Sequence, residues 1–412
     1  MFRVPMRRIL EGIRVLDLTR VLAGPWATQN LADLGAEVIK IERPGKGDDT
    51  RSWGPPFLKD REGRDTADAA YYLACNRGKK SVTLDIASDE GRAIARSLAL
   101  KCDVLVENFK VGDLARHGLD HASLAKDHPR LVYCSITGFG QDGPYRDRPG
   151  YDFMVQGLGG LMSVTGERDD LPGGGPQKVG VAVSDLFTGM YATSAILAAL
   201  LHRATSGQGQ YIDMALLDVQ VAMLANLSST YFVSGEAPRR MGNAHQNIVP
   251  YHVFRASDEF LIVAVGNDSQ FVKFCEVIGA PEWPADPRFA TNPERVRNRD
   301  LIVGMISERM RARTAREWLR LLEPSGVPCG PINDLAQVFD DPQVRHRAMQ
   351  VTAPHPTGAE VRMVASPMKF SSTPVTYEAP PPMLGEHTRQ VLEDVLGMTE
   401  AQLAGLRARG IA

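Results

Sequence analysis

The chain has 412 residues, with 47 lysines and arginines against 49 aspartates and glutamates and a formal net charge of −2. This length suffices for two domains and a sizeable core, and the near-zero charge removes the electrostatic argument for a nucleic-acid partner. The five cysteines are far apart and form no CxxC pair or Cys/His cluster, so we expect no disulfide framework, no zinc site and a reducing, cytoplasmic location.

The first half of the chain alternates between strand and helix patterns. It follows an N-terminus without the apolar core of a signal peptide. A helix is predicted at 23–35, with proline in its first turn and a glycine stop, and another ends at Leu98 after the N-cap Ser88. Strands separated by helices imply βαβ units and a largely parallel sheet. The strands are predicted at 14–18, 37–42, 81–84, 103–106, 131–136 and 210–215.

The middle of the chain begins with a long helix, which is predicted to start after Asp185, to be apolar from Leu186 to Leu201 and to end near Gly207. Its longest apolar run is too short to span a bilayer, so we expect no membrane partner. An amphipathic helix then runs to about Ser234, after which the pattern becomes α+β. A capping box, Thr314 with Glu317, opens one of its helices. The α+β part comprises a strand-like stretch at 252–265 and helices at 270–277, 300–310 and 314–322.

The last part of the chain returns to strand-like alternation at 351–375 and ends in two short helices. The changes in pattern predict an α/β fold with a Rossmann-like large domain, a mostly parallel sheet and a smaller α+β domain. The predicted division is a large domain at 1–216, a linker helix at 217–235, the small domain at 236–336, a linker at 337–349 and a return to the large domain at 350–412.

Several common catalytic motifs are missing from the sequence. It contains no GxxxxGK[ST], HExxH or GxSxG motif, and the first βα turn, Thr19 to Gly24, is not a G-x-G-x-x-G fingerprint. An NAD-dependent oxidoreductase is therefore a distant alternative. His245 is the one histidine in a glycine-flanked loop beside other polar groups, although a lone loop histidine is more often structural than ligand-binding.

Asp185 lies where a Gly/Pro-rich loop meets the long apolar helix. One interpretation makes it the N-cap of that helix, since aspartate is among the best capping residues. The other makes it a nucleophile, because helix-terminal amides favour the ionised carboxylate and aspartate can form covalent intermediates. The local sequence leaves both interpretations open.

An ordered set of motifs along nearly the whole chain resembles the class III CoA-transferases. The resemblance implies an interlocked homodimer in which each chain threads through the other. It also implies CoA and acyl-CoA as substrates, with a carboxylic acid as acceptor and no metal or redox cofactor. The motifs are Val15–Pro25, Leu34–Pro44, Gly47–Arg51, Val106–Phe109, Gly150–Asp152, Asp185–Gly189 and Leu384–Thr388.

The same resemblance assigns the catalytic role to Asp185. Its carboxylate is expected to attack the acyl-CoA thioester, giving an anhydride and then an enzyme–CoA thioester, with backbone amides stabilising the oxyanions. It also implies a set of CoA contacts, near which Lys79 and Lys80 add charge. The expected contacts are Ala23, Arg43, Cys75, Asn76, Arg77, Gly78, Asn108, Phe109, Arg116 and Tyr151.

Tyr151 bears on the choice of reaction within the family. Racemases that resemble this chain carry a histidine there as an acid/base group, and a tyrosine with an ordinary pKa of about 10 is a poor base at neutral pH. This favours CoA transfer, with Tyr151 lining the thioester pocket. A 2-methylacyl-CoA racemase or epimerase and a non-catalytic CoA-ester-binding protein are the alternatives.

The predicted small domain departs from the oxalate-specific members of the family, which close their site with a tetraglycine loop. Here the corresponding loops carry His245, Gly266 and Asn267. They resemble the branch that takes succinyl-CoA as donor and a dicarboxylic acid as acceptor. We therefore expect these three residues to contribute to a substrate loop.

Overall fold

A computed structural model describes residues 8–377 and 379–412 of the protein. It contains two compact units. The first comprises the chain up to Leu161 together with Val179–Ser229 and Pro342–Ala412, and the second comprises Met162–Lys178 and Thr230–Asp341. The segment 162–178, which the sequence analysis placed within the large domain, belongs to the second unit.

The strands and helices follow one another as the alternating sequence pattern predicts. The strands are β1 Arg14–Asp17, β2 Glu37–Glu42, β3 Phe57–Lys59, β4 Asp65–Ala69, β5 Lys79–Thr83, β6 Val104–Glu107, β7 Val132–Thr137, β8 Tyr211–Ala215, β9 Tyr251–Arg255, β10 Phe260–Ala264, β11 Cys329–Pro331, β12 Gln350–Pro354 and β13 Glu360–Val364. The helices are α1 Ala23–Asp33, α2 Ala70–Leu73, α3 Asp89–Ala99, α4 His121–Leu124, α5 Asp152–Leu158, α6 Leu161–Val164, α7 Val183–Ser206, α8 Leu216–Met223, α9 Ala225–Ser234, α10 Asp268–Val277, α11 Asn292–Arg297, α12 Arg299–Met310, α13 Ala315–Leu322, α14 Leu335–Asp340, α15 Pro342–His346, α16 Thr388–Leu396 and α17 Glu400–Ala408.

The first unit is built on a six-stranded sheet in the order β5-β2-β1-β6-β7-β8. Every neighbouring pair in it is parallel, which confirms the predicted parallel sheet. Successive side chains of a strand point to opposite faces. Val15 and Val104 therefore pack with α1 and α7 on one face, whereas Leu16 and Leu105 pack with α3, α16 and α17 on the other.

The strand order reverses between β1 and β6. The chain passes from β1 to its neighbour β2 on one side, and the later strand β6 lies on the other side of β1. Open α/β sheets bind ligands at such a point, outside the carboxyl ends of the strands. The loops that follow β1, β6 and β7 are therefore the place to look for a site.

Local capping patterns in the sequence are confirmed. Ser88 Oγ accepts a hydrogen bond from the Gly91 amide at 3.0 Å, and Thr314 and Glu317 form the predicted capping box. The single helix predicted up to Ser234 is wrong, because it is broken into α8 and α9, which meet at 71°. Ala225 at the break has φ of 42°, in the left-handed region that a continuous α-helix cannot include.

Helix α7 has 24 residues: it begins at Val183, slightly before the predicted start, and ends at Ser206, next to the predicted end near Gly207. Its most apolar window has a mean hydropathy of 1.3, so by length and composition it could cross a membrane, and α8 with α9 would qualify together as a bent pair. Such a helix is weak evidence for a span, because core helices have the same composition. Here one face of α7 packs against α1 and the sheet through Ala192, Ile196 and Ala199.

The second unit contains a three-stranded sheet in the order β11-β10-β9, antiparallel throughout. Helices α10, α12 and α13 supply much of its core, in which Phe254, Leu261, Phe274, Ile306 and Trp318 are buried. It is the α+β unit that the sequence pattern predicts.

Candidate active site

A cleft of about 480 Å³ opens at the reversal point of the first unit's sheet. It is formed by the loops after β1, β6 and β7 and by the first turn of α7. Asp185 and Tyr151 both line it. The other lining residues used below are Arg20, Val21, Leu22, Ala23, Asp49, Trp53, Asn108, Phe109, Lys110, Gly138, Arg146, Asp147, Arg148, Gly150 and Leu216.

Asp152, and not Asp185, caps the first turn of α7. Its Oδ1 accepts hydrogen bonds from the backbone amides of Ser184 at 2.8 Å and Asp185 at 3.3 Å. The N-cap position itself is Ala182, which offers no side-chain acceptor. The capping interpretation of Asp185 is therefore wrong, since another carboxylate already satisfies these amides.

The Asp185 carboxylate is consequently left without a hydrogen bond from any residue that the structure describes. Burial, and then the negative charge of Asp152, raise its pKa to about 7. A carboxylate that is poorly solvated and unpaired retains its lone pairs for reaction. Tyr71 lies near it, and burial with the charge of Asp185 raises the pKa of this phenol to about 12, so that it remains protonated.

Polar side chains beneath the cleft hold Asp152 in place. Gln156 donates from Nε2 to Asp152 Oδ2 at 2.7 Å and accepts the Val179 amide at 2.9 Å. Ser184 Oγ donates to Gln220 Oε1 at 2.7 Å. Both glutamines are fully buried, so the start of α7 is fixed by hydrogen bonds in a low-dielectric environment.

The raised pKa gives a pH-dependence prediction. If Asp185 is the nucleophile that the family resemblance implies, attack requires its ionised form, so we expect the first acyl transfer to slow below about pH 7, approaching tenfold per pH unit at lower pH. Asp152→Asn keeps an oxygen for the amides but removes the charge that helps to raise the pKa. Its pH–rate profile in single turnover should therefore shift to lower pH, and an unshifted profile would contradict the role of Asp152.

Buried charges support the first βα turn. Lys40 donates to the Thr19 carbonyl at 2.8 Å and to Asp48 at 2.9 Å, and Lys79 bonds Asp17 at 3.1 Å. Val21, in this turn, has φ of 73°, which is rare for a β-branched residue and indicates a locally strained backbone beside the cleft.

The two lysines expected to add charge near CoA have other roles. Lys79 is buried and satisfied by Asp17, Asn76 and the Pro25 carbonyl, and Lys80 pairs with Glu37 at 2.7 Å. Both charges are thus already paired within the protein, and their contribution to CoA binding stays a prediction.

A second cleft of about 460 Å³ adjoins the first and shares Arg20, Asp49 and Phe109 with it. Its lining includes the exposed Arg43 and Lys46 and apolar side chains such as Ile86. Exposed cations beside an apolar wall suit a phosphorylated nucleotide. The combined lining of the two clefts extends from the loop after β2 to Asp185.

The predicted CoA-binding residues divide into those that line one of the clefts and those that line neither. Ala23, Asn108, Phe109 and Tyr151 line the first cleft with Asp185, and Arg43 lines the second with Phe109. The others line neither: they are Cys75, Asn76, Arg77, Gly78 and Arg116.

Most of the residues that line neither cleft form contacts inside the protein. Asn76 is fully buried and binds the Tyr72 carbonyl at 2.9 Å, and Arg77 forms a two-pronged pair with Asp33 at 2.9 and 2.6 Å. Burial raises the pKa of Cys75 to about 12, which keeps it a thiol. Their contact with CoA stays a prediction, and the structure shows them supporting α1 and β5.

Gly78 and Arg116 complete the group. The Gly78 amide donates to the Ala379 carbonyl at 3.1 Å, and its φ of 72° explains the glycine. The Arg116 side chain is exposed and pairs with Asp113. The contact of Arg116 with a CoA phosphate stays a prediction.

The three substrate-loop candidates lie in the second unit. His245 accepts the Asn247 amide at 3.0 Å and packs against the ring of Tyr251 at 5.3 Å. Asn267 is the N-cap of α10, and the Gly266 amide donates to Gln270 at 2.8 Å. Their role toward a substrate stays a prediction.

Sequence reasoning missed two aromatic residues beside Asp185. Trp53 lines the first cleft and packs edge-on against Tyr71, with 5.2 Å between ring centroids. Trp53 follows the Gly47–Arg51 motif by two residues, so extending that motif would have found it. No local signal marks Tyr71, which lies within a short apolar helix.

Helices α1 and α7 approach closely at Gly189, one turn after Asp185. A Cβ atom there would be 2.7 Å from the Ala23 carbonyl oxygen and 3.0 Å from Trp26 Cβ. We expect Gly189→Ala to lower the free energy of unfolding by about 1–3 kcal/mol and to reduce turnover, because the helices must separate. Gly304→Ala in α12 is the control: its site is open, so alanine should stabilise by about 0.5–1 kcal/mol. Urea titration of both variants tests this, and a stabilising Gly189→Ala would contradict it.

Within residues 8–377 and 379–412, no group of three or more His, Cys, Asp or Glu side chains is arranged to hold a metal ion. The first cleft is lined by Asp185, by residues at the start of α1, and by neighbouring aromatic and cationic side chains.

Comparison with known proteins identifies the family. Residues 10–388 match the model of CoA-transferase family III. The chain is 51% identical to succinate–glutarate CoA-transferase of Agrobacterium fabrum, over 94% of this chain and 95% of that one. It is 42% identical to human succinyl-CoA:glutarate CoA-transferase, over 98% and 89%. The crystal structure of a CAIB/BAIF family protein from Brucella suis superimposes with a TM-score of 0.83 at 47% identity, covering 94% of this chain and all of the other. The protein thus belongs to family III of the CoA-transferases.

Proposed function

We propose that this enzyme moves CoA from succinyl-CoA to a small dicarboxylic acid such as glutarate through a covalent aspartyl–CoA intermediate on Asp185. The substrates are supported by relatives named as succinyl-CoA:glutarate transferases at 42–51% identity over nearly the whole chain. The covalent step rests on one observation. Asp185 faces the cleft with a carboxylate that no described residue hydrogen-bonds, because Asp152 caps its helix.

The proposed reaction proceeds by four acyl transfers. An Asp185 oxygen attacks the thioester carbon of succinyl-CoA, the C–S bond breaks, and a mixed anhydride and CoA thiolate form. The thiolate attacks the Asp185 carbonyl, which releases succinate and leaves an aspartyl–CoA thioester. The acceptor carboxylate attacks that thioester, re-forming an anhydride and thiolate. Finally the thiolate attacks the acceptor's carbonyl, which gives the new acyl-CoA and frees Asp185.

Each of these steps passes through a tetrahedral oxyanion near Asp185. Leu22 and Ala23, at the start of α1, line the same cleft. The first-turn amides of a helix lack intrahelical partners, and the helix dipole favours negative charge there. We assign oxyanion stabilisation to this turn, which the close packing at Gly189 holds beside α7.

We infer an orientation for CoA from the lining of the two clefts. We place the nucleotide in the second cleft, with phosphates at Arg43 and Lys46, and the pantetheine arm past Phe109 toward Asp185. Isothermal titration of Arg43→Gln should show weaker CoA binding, with salt dependence reduced relative to the wild type. An unchanged affinity for CoA would indicate that the nucleotide binds elsewhere.

The product of the reaction is the decisive test of function. Enzyme, succinyl-CoA and a panel of mono- and dicarboxylic acids are incubated, and new CoA thioesters are identified by mass spectrometry. We expect glutaryl-CoA and related dicarboxyl thioesters. Absence of transfer to every acid would refute the proposal, and solvent deuterium entering the α-carbon of a 2-methylacyl-CoA would instead support the racemase alternative.

We also propose that the enzyme is a homodimer. The faces of α5 and α7 away from the core expose large apolar side chains, including Phe153 at 59%, Phe187 at 47% and Leu201 at 73% exposure. Large apolar side chains exposed on two packed helices suit an interaction surface, and a second copy of the chain is the partner we assign. Sedimentation equilibrium should give twice the chain mass, and Leu201→Asp should weaken the dimer. A wild-type monomer at micromolar concentration would contradict this.

A reducing, cytoplasmic location fits the cysteines. All five are free in the structure, and four of them are buried, including Cys75 and Cys275. Disulfides are rare in reduced compartments, where buried thiols behave as small apolar side chains.

A further inference from the structure

The segment from Gly138 to Gly150 forms a compact loop on the rim of the first cleft, between β7 and α5. Its ends touch, since a Cβ on Gly138 would be 2.5 Å from Gly150 Cα. Within the loop, Tyr145 packs edge-on against Phe139 at 5.7 Å, and the guanidinium carbon of Arg148 lies 3.9 Å from the Tyr145 ring centroid. The loop therefore positions Arg148 by its own packing.

Other arginines of the cleft are already paired. Arg20 binds Asp49 at 3.2 Å, and Arg146 contacts Asp147 at 3.5 Å. No carboxylate in the described part of the chain pairs with Arg148. Its charge is thus available to an anion that enters the cleft.

The position of Arg148 distinguishes it from the cations nearer the nucleotide. Arg20 and Phe109 line both clefts and therefore lie where the two clefts meet, whereas Lys110 lines only the first cleft but directly follows Phe109 in the chain. Arg148 lines the first cleft alone, on the loop that leads into Tyr151. An anion there belongs to the acyl end of the substrate and not to the nucleotide end.

Apolar side chains lie in the same cleft as Arg148. Leu22, Ala23 and Leu216 are buried and contribute to its lining. A short methylene chain packs favourably on such a surface, whereas a carboxylate at its far end requires a cation. An arginine fork can bind that carboxylate through two parallel hydrogen bonds.

On the basis of the CoA-transfer function proposed above, we infer that Arg148 binds the distal carboxylate of the dicarboxylic acyl group. Donor and acceptor occupy the acyl site in turn, so the same arginine serves both. The enzyme would thereby select small aliphatic dicarboxylic acids over monocarboxylic acids of equal chain length. Arg148 is a specificity residue in this scheme, and Asp185 alone forms covalent bonds.

The test compares donors that differ only at the far end. Succinyl-CoA and butyryl-CoA have acyl chains of equal length, and desulfo-CoA reports binding of the CoA moiety without an acyl group. The variants are Arg148→Gln, which removes the charge, and Arg148→Lys, which keeps it without the fork. Arg96→Gln is the control, an arginine of the same unit that pairs with Asp127 away from the cleft.

We expect Arg148→Gln to lower kcat/KM for succinyl-CoA by at least about tenfold and to leave butyryl-CoA and the inhibition constant of desulfo-CoA unchanged. The kcat/KM of Arg148→Lys for succinyl-CoA should lie between the values of Arg148→Gln and the wild type, and that of Arg96→Gln should equal the wild-type value. Equal losses for both donors with weaker desulfo-CoA binding would overturn the inference and assign Arg148 to a CoA phosphate. An unchanged donor ratio in both Arg148 variants would also overturn it, whereas a wild type that transfers CoA to no acid would refute the proposed function itself.

Discussion

Asp185→Asn is expected to abolish CoA transfer, lowering kcat by at least about a thousandfold, because the amide is no nucleophile toward a thioester. The variant should fold, since Asp152 and not Asp185 caps α7. Steady-state transfer from succinyl-CoA measures the loss. Asp218→Asn is the matched control, because Asp218 occupies the corresponding position in the first turn of α8 but is exposed.

The same variant should be more stable than the wild type at alkaline pH. Burial and Asp152 raise the pKa of Asp185 above its usual value of 3.8 to about 7, so the neutral form stabilises the fold and this contribution is lost as pH rises from about 4 through about 7. Asparagine does not ionise. Thermal unfolding should therefore show that Asp185→Asn is more stable than the wild type at pH 8 and that this difference is absent at pH 4. An inactive variant destabilised at both pH values would indicate a structural role instead.

Arg51→Met is expected to cause the largest loss of stability, about 3–5 kcal/mol. Arg51 is buried, bonds both oxygens of Glu42 at 2.8 Å, pairs with Asp68 and donates to the Pro382 carbonyl at 3.1 Å. Methionine fills similar volume but leaves two buried carboxylates without their counter-ion. The bond to Pro382 also joins the C-terminal return to the N-terminal part of the unit.

The effect of Arg51→Met should depend on pH. Burial alone would raise the pKa of Glu42, but the hydrogen bonds and charge of Arg51 outweigh it, so the pKa is lowered overall. The stability that this pair provides is present above the ordinary glutamate pKa of about 4.5 and is lost as pH falls through the lower folded value. Urea titrations at pH 7 should show the full loss and those at pH 3 a smaller one. Arg64→Met, an exposed arginine paired with Asp60, should change stability by less than about 1 kcal/mol at either pH. Equal effects of the two substitutions would contradict this account.

Features that depend on neighbouring residues were predictable from the sequence. The strand Glu37–Glu42 has the predicted bounds, and the caps at Ser88 and Thr314 are made as the spacing indicates. The parallel sheet followed from strands separated by helices. In each case a local pattern of apolar and capping residues determines the element.

Features that depend on distant contacts were not predictable. Asp152 caps a helix more than thirty residues later in the chain, so sequence spacing gave no reason to prefer it to Asp185. Arg77 is withdrawn from solvent by Asp33, and the break at Ala225 has no glycine or proline to mark it. The family resemblance predicted Asp185 as the nucleophile, but it did not predict the capping by Asp152 that leaves the Asp185 carboxylate unpaired.

The central claim is that Asp185 carries CoA as a thioester. Enzyme incubated with succinyl-CoA in the absence of an acceptor, then treated with borohydride and digested, is analysed by peptide mass spectrometry. The account predicts that Asp185 alone is reduced to homoserine, that one succinate is released per CoA bound, and that Asp218→Asn behaves like the wild type. An unmodified Asp185 peptide from enzyme that still exchanges CoA between acids would contradict it.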